Sequence, residues 1–368
     1  MRKKLIASVA LAAAGALVLA GCSSRGGDSA GSDSTEGAAG FEAGSLIGVA
    51  LPAKTSENWV LAGDLFTDGL TEAGFKADVQ YAAAGSPVAD QQAQIQSMVT
   101  KGAKVIVIGA ADGGQLSTQV EAAKEAGATV IAYDRLILNT DAVDYYVAYD
   151  NYEVGELQGQ ALLDGMEAQK GDGPYTIELF SGSPDDANSS VFFDGAMSVL
   201  QPAIDSGDVV VGSGQTSLKQ TATDGWKPEN AQRRMDSLLT STYNGDTELD
   251  GVLSPNDTLA RAIITSVKGA GKDIPVVTGQ DSEVESVKSI MAGEQYSTIN
   301  KDTRALVTQT IDTVKALQAG DEVEVNNTDD YDNGSKVVPA FLLPPQIVTK
   351  DNAAEAYAND PTLSKLVE

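Results

Sequence analysis

The chain has 368 residues, with 25 Lys and Arg against 52 Asp and Glu, and a net charge of −27. So acidic a surface repels nucleic-acid phosphates and anionic lipid, and otherwise reads as a solvated exterior. The absence of histidine removes His-based triads, most zinc sites and the commonest acid–base catalyst.

At the N-terminus Arg2, Lys3 and Lys4 precede an apolar stretch over residues 5–20. A charged start followed by an apolar run too short to favour a spanning helix is the pattern of a signal peptide, here over residues 1–21. It ends in Leu19-Ala20-Gly21-Cys22, which looks like a lipobox, so Cys22, the sole cysteine, is expected to carry lipid. Residues 22–44 are rich in Ser, Gly, Asp and Ala and offer too little apolar surface to offset ordering entropy. They read as a flexible tether. From there to the last residue the chain is long for one domain and comfortable for two, and no later apolar run is long enough to cross a bilayer.

Apolar strand-like runs then alternate with helical patterns. A strand is expected at 46–51, a helix at 59–73 stopped by Gly74, a strand at 79–81 and a helix at 89–100. The run Lys104-Val105-Ile106-Val107-Ile108 is the clearest buried strand; a helix at 115–126 and a strand at 129–133 follow. This rhythm means a parallel sheet covered on both faces. A strand at 145–149 breaks it, and a second series begins. Its helices are expected at 154–167, 191–204, 229–239, 259–268 and 284–292, and its strands at 175–180, 208–211, 251–254, 274–278 and 296–299. A long helix follows at 303–319, and Asn333-Gly334 reads as a tight turn. The expected fold is therefore α/β, with two doubly wound parallel-sheet lobes.

In open α/β sheets ligands bind beyond the carboxyl ends of the strands. The residues there are 54–59, Ala111, Asp112, Asp134, Arg135, 183–188, Asn256, Asp257, Asp281 and Lys301, nearly all polar. Trp59 and Trp226, the chain's two tryptophans, sit in adjacent loops. A cleft with planar hydrogen-bonding groups and aromatic faces suits a sugar, whose hydroxyls need partners and whose C–H faces stack on rings.

At these residues the sequence resembles the type I periplasmic binding proteins for sugars, close to the multiple-monosaccharide and xylose receptors of ABC importers. The resemblance runs from Leu46 onward. It is carried by Tyr133-Asp134-Arg135-Leu136, Ile177-Glu178-Leu179-Phe180, Gly182-Ser183-Pro184-Asp185-Asp186, Asp194-Gly195-Ala196-Met197, Ser254-Pro255-Asn256-Asp257, Gly279-Gln280-Asp281 and Lys301-Asp302-Thr303-Arg304. It implies two lobes joined by three crossovers. The first would hold residues 45–149 and 302–331, the second 150–301 and 332–368, with hinges near 149–151, 300–302 and 332–336.

With the lipobox at Cys22, the expectation is a lipid-anchored protein on the outer face of the membrane. By the resemblance it would capture a monosaccharide such as xylose, glucose, galactose, arabinose or fucose for importer permease subunits. It would act as a monomer, without enzymatic activity, cofactor or metal, and could also report to a membrane sensor. Asp134 and Arg135 match the acid–guanidinium pair of the first lobe; Asn188, Asn256, Asp281 and Lys301 match the polar groups of the second lobe and hinge. Trp59 and Trp226 match the aromatic walls. Lys54 and Asn58 fall in the first loop, where the chain departs from its relatives, and Asp112 faces the cleft by position.

Other readings of the residues exist. Asp134 and Arg135 could form a surface ion pair, and Asp281 could cap the helix that follows. Of Asn256 and Asp257 one could cap while the other enters the cleft; the resemblance implies that Asn256 is the ligand residue and Asp257 the structural one. Lys301 could be solvated, and Trp226 could be core. Asp185-Asp186 could in principle serve glycosidic chemistry, but neighbours in an extended loop diverge. A sugar-responsive regulator of this fold would need a basic DNA-reading module before the first strand. The acidic run 329–334 lacks the alternating oxygen ligands of a calcium loop.

Overall fold

A computed structural model describes residues 40–367 apart from Thr55 and Asp246. The expected leader, Cys22 and tether residues 23–39 lie outside the described residues. The first series of elements is β1 (Leu46–Leu51), α1 (Glu57–Glu72), β2 (Lys76–Tyr81), α2 (Pro87–Thr100), β3 (Val105–Ile108), α3 (Ser117–Glu125), β4 (Thr129–Tyr133) and β5 (Tyr145–Tyr149). The second is α4 (Asn151–Lys170), β6 (Tyr175–Leu179), α5 (Asn188–Ser206), β7 (Val209–Val211), α6 (Leu218–Thr221), α7 (Pro228–Ser241), β8 (Gly251–Leu253), α8 (Asp257–Gly269), β9 (Val276–Val277), α9 (Val284–Ala292) and β10 (Ser297–Asn300). Then come α10 (Thr303–Ala319), β11 (Ala340–Leu343), β12 (Gln346–Thr349) and α11 (Ala353–Ala356).

One sheet runs β11-β5-β4-β3-β1-β2 and a second runs β7-β6-β8-β9, both parallel throughout. β10 and β12 form an antiparallel pair. The all-apolar β3 shows why the first sheet must be sandwiched. Strand alternation sends Ile106 and Ile108 to a core with Ile95, Met98 and Val120 of α2 and α3. Val105 and Val107 go to the opposite core, with Phe66 and Leu70 of α1 and Leu306 and Ile311 of α10. The second sheet repeats the plan: Ile177 and Leu179 face Leu162, Met166 and Leu200, while Val252 faces Met235, Leu259 and Ile263. Among the described residues no helix is long and apolar enough to cross a membrane.

The assignment of 332–368 wholly to the second lobe needs correcting. β11 pairs in parallel with β5, Ala340 opposite Tyr146. The Asn333-Gly334 turn forms as expected, with Gly334 at φ 88°, but it docks on the first lobe. There the Asn333 Nδ2 donates to the backbone oxygens of Ile137 (3.0 Å) and Thr140 (2.7 Å). The third crossing therefore falls at Pro344-Pro345, between β11 and β12, and not near 332–336. Prolines end the run because they cannot donate to a ladder.

α4 and α5 meet through glycines. A Cβ on Gly155 would strike the backbone oxygen of Phe192, and one on Gly195 would strike that of Tyr152. Gly155→Ala is expected to cost about 1–3 kcal/mol through overpacking. Urea unfolding should show a lower midpoint with an unchanged slope; an unchanged midpoint would show that the helices separate freely.

Candidate functional site

The residues after the strands of both sheets converge on a cavity of about 680 Å³, within the usual range for small-molecule sites. Asn58, Trp59, Asp134, Arg135, Asn188, Trp226, Asn256, Asp281 and Lys301 all line it. Lys54 and Asp112 do not, and both expectations are corrected. The Lys54 ammonium sits 4.3 Å from the centroid of the Tyr81 ring, outside the lining. The Asp112 carboxylate accepts from the Gly114 N–H at 2.9 Å, capping a short turn. Its neighbour Ala111 takes the lining position.

Asp134 follows β4 with φ 62°. Its N–H donates to the Val147 oxygen at 2.9 Å, and its own oxygen accepts from Asn188 Nδ2 and the Tyr146 hydroxyl, each at 2.7 Å. None of these bonds uses the carboxylate. Among the described residues the non-glycine positions with positive φ are Asp134, Asn139, Trp226, Asp281 and Ser282. Left-handed backbone in such residues costs free energy and persists only where surrounding bonds hold it. Here it is concentrated around the cavity.

Arg135 does not pair with Asp134. Its Nε lies 3.0 Å from Asp186 Oδ2, Nη1 donates to the Ala110 oxygen at 3.2 Å, and the guanidinium stands 5.5 Å from the Trp59 ring centroid. Asp186 is 4% exposed; burial raises its pKa, with the nearby Arg135 charge opposing. Lys301 Nζ lies 3.2 Å from Asp281 Oδ1 and 5.6 Å from the Phe192 ring centroid. Burial works to lower the Lys301 pKa, but the carboxylates of Asp281, Asp134 and Asp186 outweigh it and the ammonium is held charged. Asp281 is pushed up by burial even beside Lys301. It does not cap α9; it stands before Glu283, the residue at that cap position.

Asn256 fills both roles considered for it. Its Oδ1 caps α8 by accepting from the Leu259 N–H at 3.0 Å, while the residue also lines the cavity. Asp257 lies beneath, fully buried, accepting from Gln295 Nε2 (2.8 Å), the Glu283 N–H (2.9 Å) and Thr298 Oγ1 (3.0 Å). Thr298 in turn accepts from the Ser282 N–H, and the Tyr357 hydroxyl reaches Ser282 Oγ at 2.7 Å. The Asp281 loop is thus pinned from below. Each tryptophan rests on a glycine: a Cβ at Gly109 would come within 2.9 Å of Trp59, and one at Gly182 would collide with Trp226. The Trp226 Nε1 is buried without a hydrogen-bond partner.

Sequence reasoning did not place Asp186, Phe192, Tyr133, Tyr149 or Gln280 among the sugar-binding residues, and all five line the cavity. Phe192 carried a signal, standing one helical turn after Asn188 on the same face. Asp186 lay within the strand-end loop 183–188, but its pairing carried no signal, because its partner Arg135 comes from the other sheet. The two series also touch directly through Gly113 N–H to the Asp185 oxygen (3.3 Å), Asn58 Nδ2 to the Asp281 oxygen (3.3 Å) and the Val284 N–H to Glu57 Oε2 (3.2 Å). These bonds tie the two series together beside the cavity.

Residues 47–322 match the family described as periplasmic binding protein domain. The chain belongs to this family. It is 50% identical over 311 residues to the multiple sugar-binding periplasmic receptor ChvE of Rhizobium radiobacter, covering 83% of this chain and 87% of that one. It is 35% identical over 315 residues to the D-xylose-binding periplasmic protein of Escherichia coli, covering 85% and 89%. Among solved structures, the ABC transporter solute binding protein of Clostridium phytofermentans with bound β-D-glucose superposes with a TM-score of 0.83 at 39% identity. That match covers 88% of this chain and all of the other. The two parallel-sheet lobes are those of a type I periplasmic binding protein.

Proposed function

We propose that this binding protein captures a monosaccharide outside the cytoplasm and presents it to the membrane subunits of an ABC importer. Lipid on Cys22 would hold it to the outer face of the membrane. The observation that carries the reading is the cavity itself. Carboxylates that only accept and cations that only donate converge between two tryptophans, so hydroxyls of both senses and C–H faces find partners. The sugar-binding relatives support it. Asp134, Arg135, Asn188, Asn256, Asp281 and Lys301 would bind the hydroxyls, joined by Asp186. Trp59 and Trp226 would provide the walls, with Asn58 at the rim.

Capture without turnover fits the charges. Asp186 and Asp281 are each engaged by a cation, an arrangement suited to holding hydroxyls. The protein would work as a monomer without cofactor or metal, and its closed form could also be read by a membrane sensor.

A thermal-shift panel of glucose, xylose, galactose, arabinose and fucose tests the reading. A sugar at one hundred times its Kd should stabilise the folded state by about 2.7 kcal/mol and raise Tm clearly. No shift with any aldose at millimolar concentration would sink it.

A further inference from the structure

We infer that Glu57 is a closure-positioning residue, whose carboxylate caps helix α9 of the opposite lobe when the cleft is shut and so scales the affinity for every ligand by one common factor. Glu57 opens α1, is exposed and does not line the cavity. Its Oε2 accepts from the backbone N–H of Val284, the first residue of α9, at 3.2 Å.

That N–H is an orphan of its own helix. The residue at the α9 cap position, Glu283, makes no side-chain capping bond. Its carboxylate is spent elsewhere, 2.6 Å from Arg261 Nη2 and accepting from Thr258 Oγ1 at 2.8 and 3.0 Å. The first N–H groups of a helix need outside acceptors and favour negative charge. Here the acceptor comes from the other lobe. The capped end is also a firm target, because the Tyr357 hydroxyl holds Ser282 at 2.7 Å.

A contact made only in the shut form multiplies the closed-to-open ratio whatever the cavity contains, and apparent affinity scales with the competent fraction. Asn58 beside it cannot serve as the probe, because it lines the cavity and would mix ligand contact with closure. Glu57 separates the two.

The inference rests on the sugar-capture reading for its affinity arm only. The test uses the full chain with Cys22→Ser and a dye pair on Asp68→Cys and Ser237→Cys, exposed positions of the first and second lobes. Energy transfer without sugar reads closure, and calorimetry with D-glucose and D-xylose reads affinity. Glu57→Ala is expected to shift the ligand-free protein toward the open form and to raise both Kd values by the same factor, roughly three- to tenfold. Glu57→Gln should fall between, since its amide oxygen still accepts but lacks the charge. An unchanged distance distribution in Glu57→Ala overturns the inference, as do factors for the two sugars that differ more than about threefold. If wild type binds neither sugar while Glu57→Ala still opens the free protein, the sugar reading fails and the cap stands.

Discussion

Asp134→Ala is expected to raise the Kd of the best sugar about tenfold or more. Asp134 lines the cavity while its backbone is tied to both lobes, through Val147 of β5 and Asn188 of α5. Removing it leaves sugar hydroxyls unpaired in a closed site, at about 1–3 kcal/mol per lost contact. Alanine also tolerates φ 62° poorly, so the variant will lose some stability for a reason unrelated to the ligand. Asp134→Asn separates the effects, because asparagine accepts this backbone and keeps one oxygen. Calorimetric titration should find the asparagine variant folded like wild type yet weaker in binding. Binding within twofold of wild type by Asp134→Ala would remove this residue from the ligand contacts.

Asp186→Ala should be more damaging still, because it acts on fold and site together. Its removal leaves the Arg135 guanidinium unpaired in a buried setting. Breaking a buried ion pair from one side costs about 3–5 kcal/mol. We expect the lower end, because the guanidinium keeps the Ala110 oxygen and the Trp59 face. The Asp186 Oδ1 also accepts from the Asn188 N–H at 3.0 Å, so Asn188 and its bond to Asp134 loosen as well. Chemical denaturation should show the stability loss, and titration a Kd at least tenfold higher. Asp186→Asn keeps the Asn188 bond and should recover part of the stability. Full stability in Asp186→Ala would mean that Arg135 finds another partner.

Much of this site could be read from the chain because parallel sheets gather ligands at one place. Asp134, Asn256 and Asp281 each follow an apolar run, and that position alone put them at the cavity. Asp186 stood in the strand-end loop 183–188, but its ion pair was hidden, because the partner Arg135 lies in the opposite lobe. Lys54 and Asp112 were misjudged for the converse reason. Each finds a local partner, an aromatic face or a turn N–H, that strand-end position does not reveal. The Ala340-Phe341-Leu342-Leu343 strand was missed because four apolar residues between prolines carry no period. Only the free edge at Tyr146 gives them a place.

The three crossings between the lobes are unequal, and that inequality bears on how the lobes can move. Pro344-Pro345 forms a stiff strut, its two φ torsions fixed by the rings. The other two crossings are brief and run into capped helices. Asp150 Oδ1 accepts from the N–H groups of Tyr152 and Glu153, and Asp302 Oδ1 from that of Arg304. A few torsions beside one strut would confine the lobes toward a single degree of freedom. On the capture reading, a pentose and a hexose that both trigger closure would then present the same exterior. The transporter would register occupancy and remain blind to cargo, so discrimination among sugars has to be completed before the lobes meet.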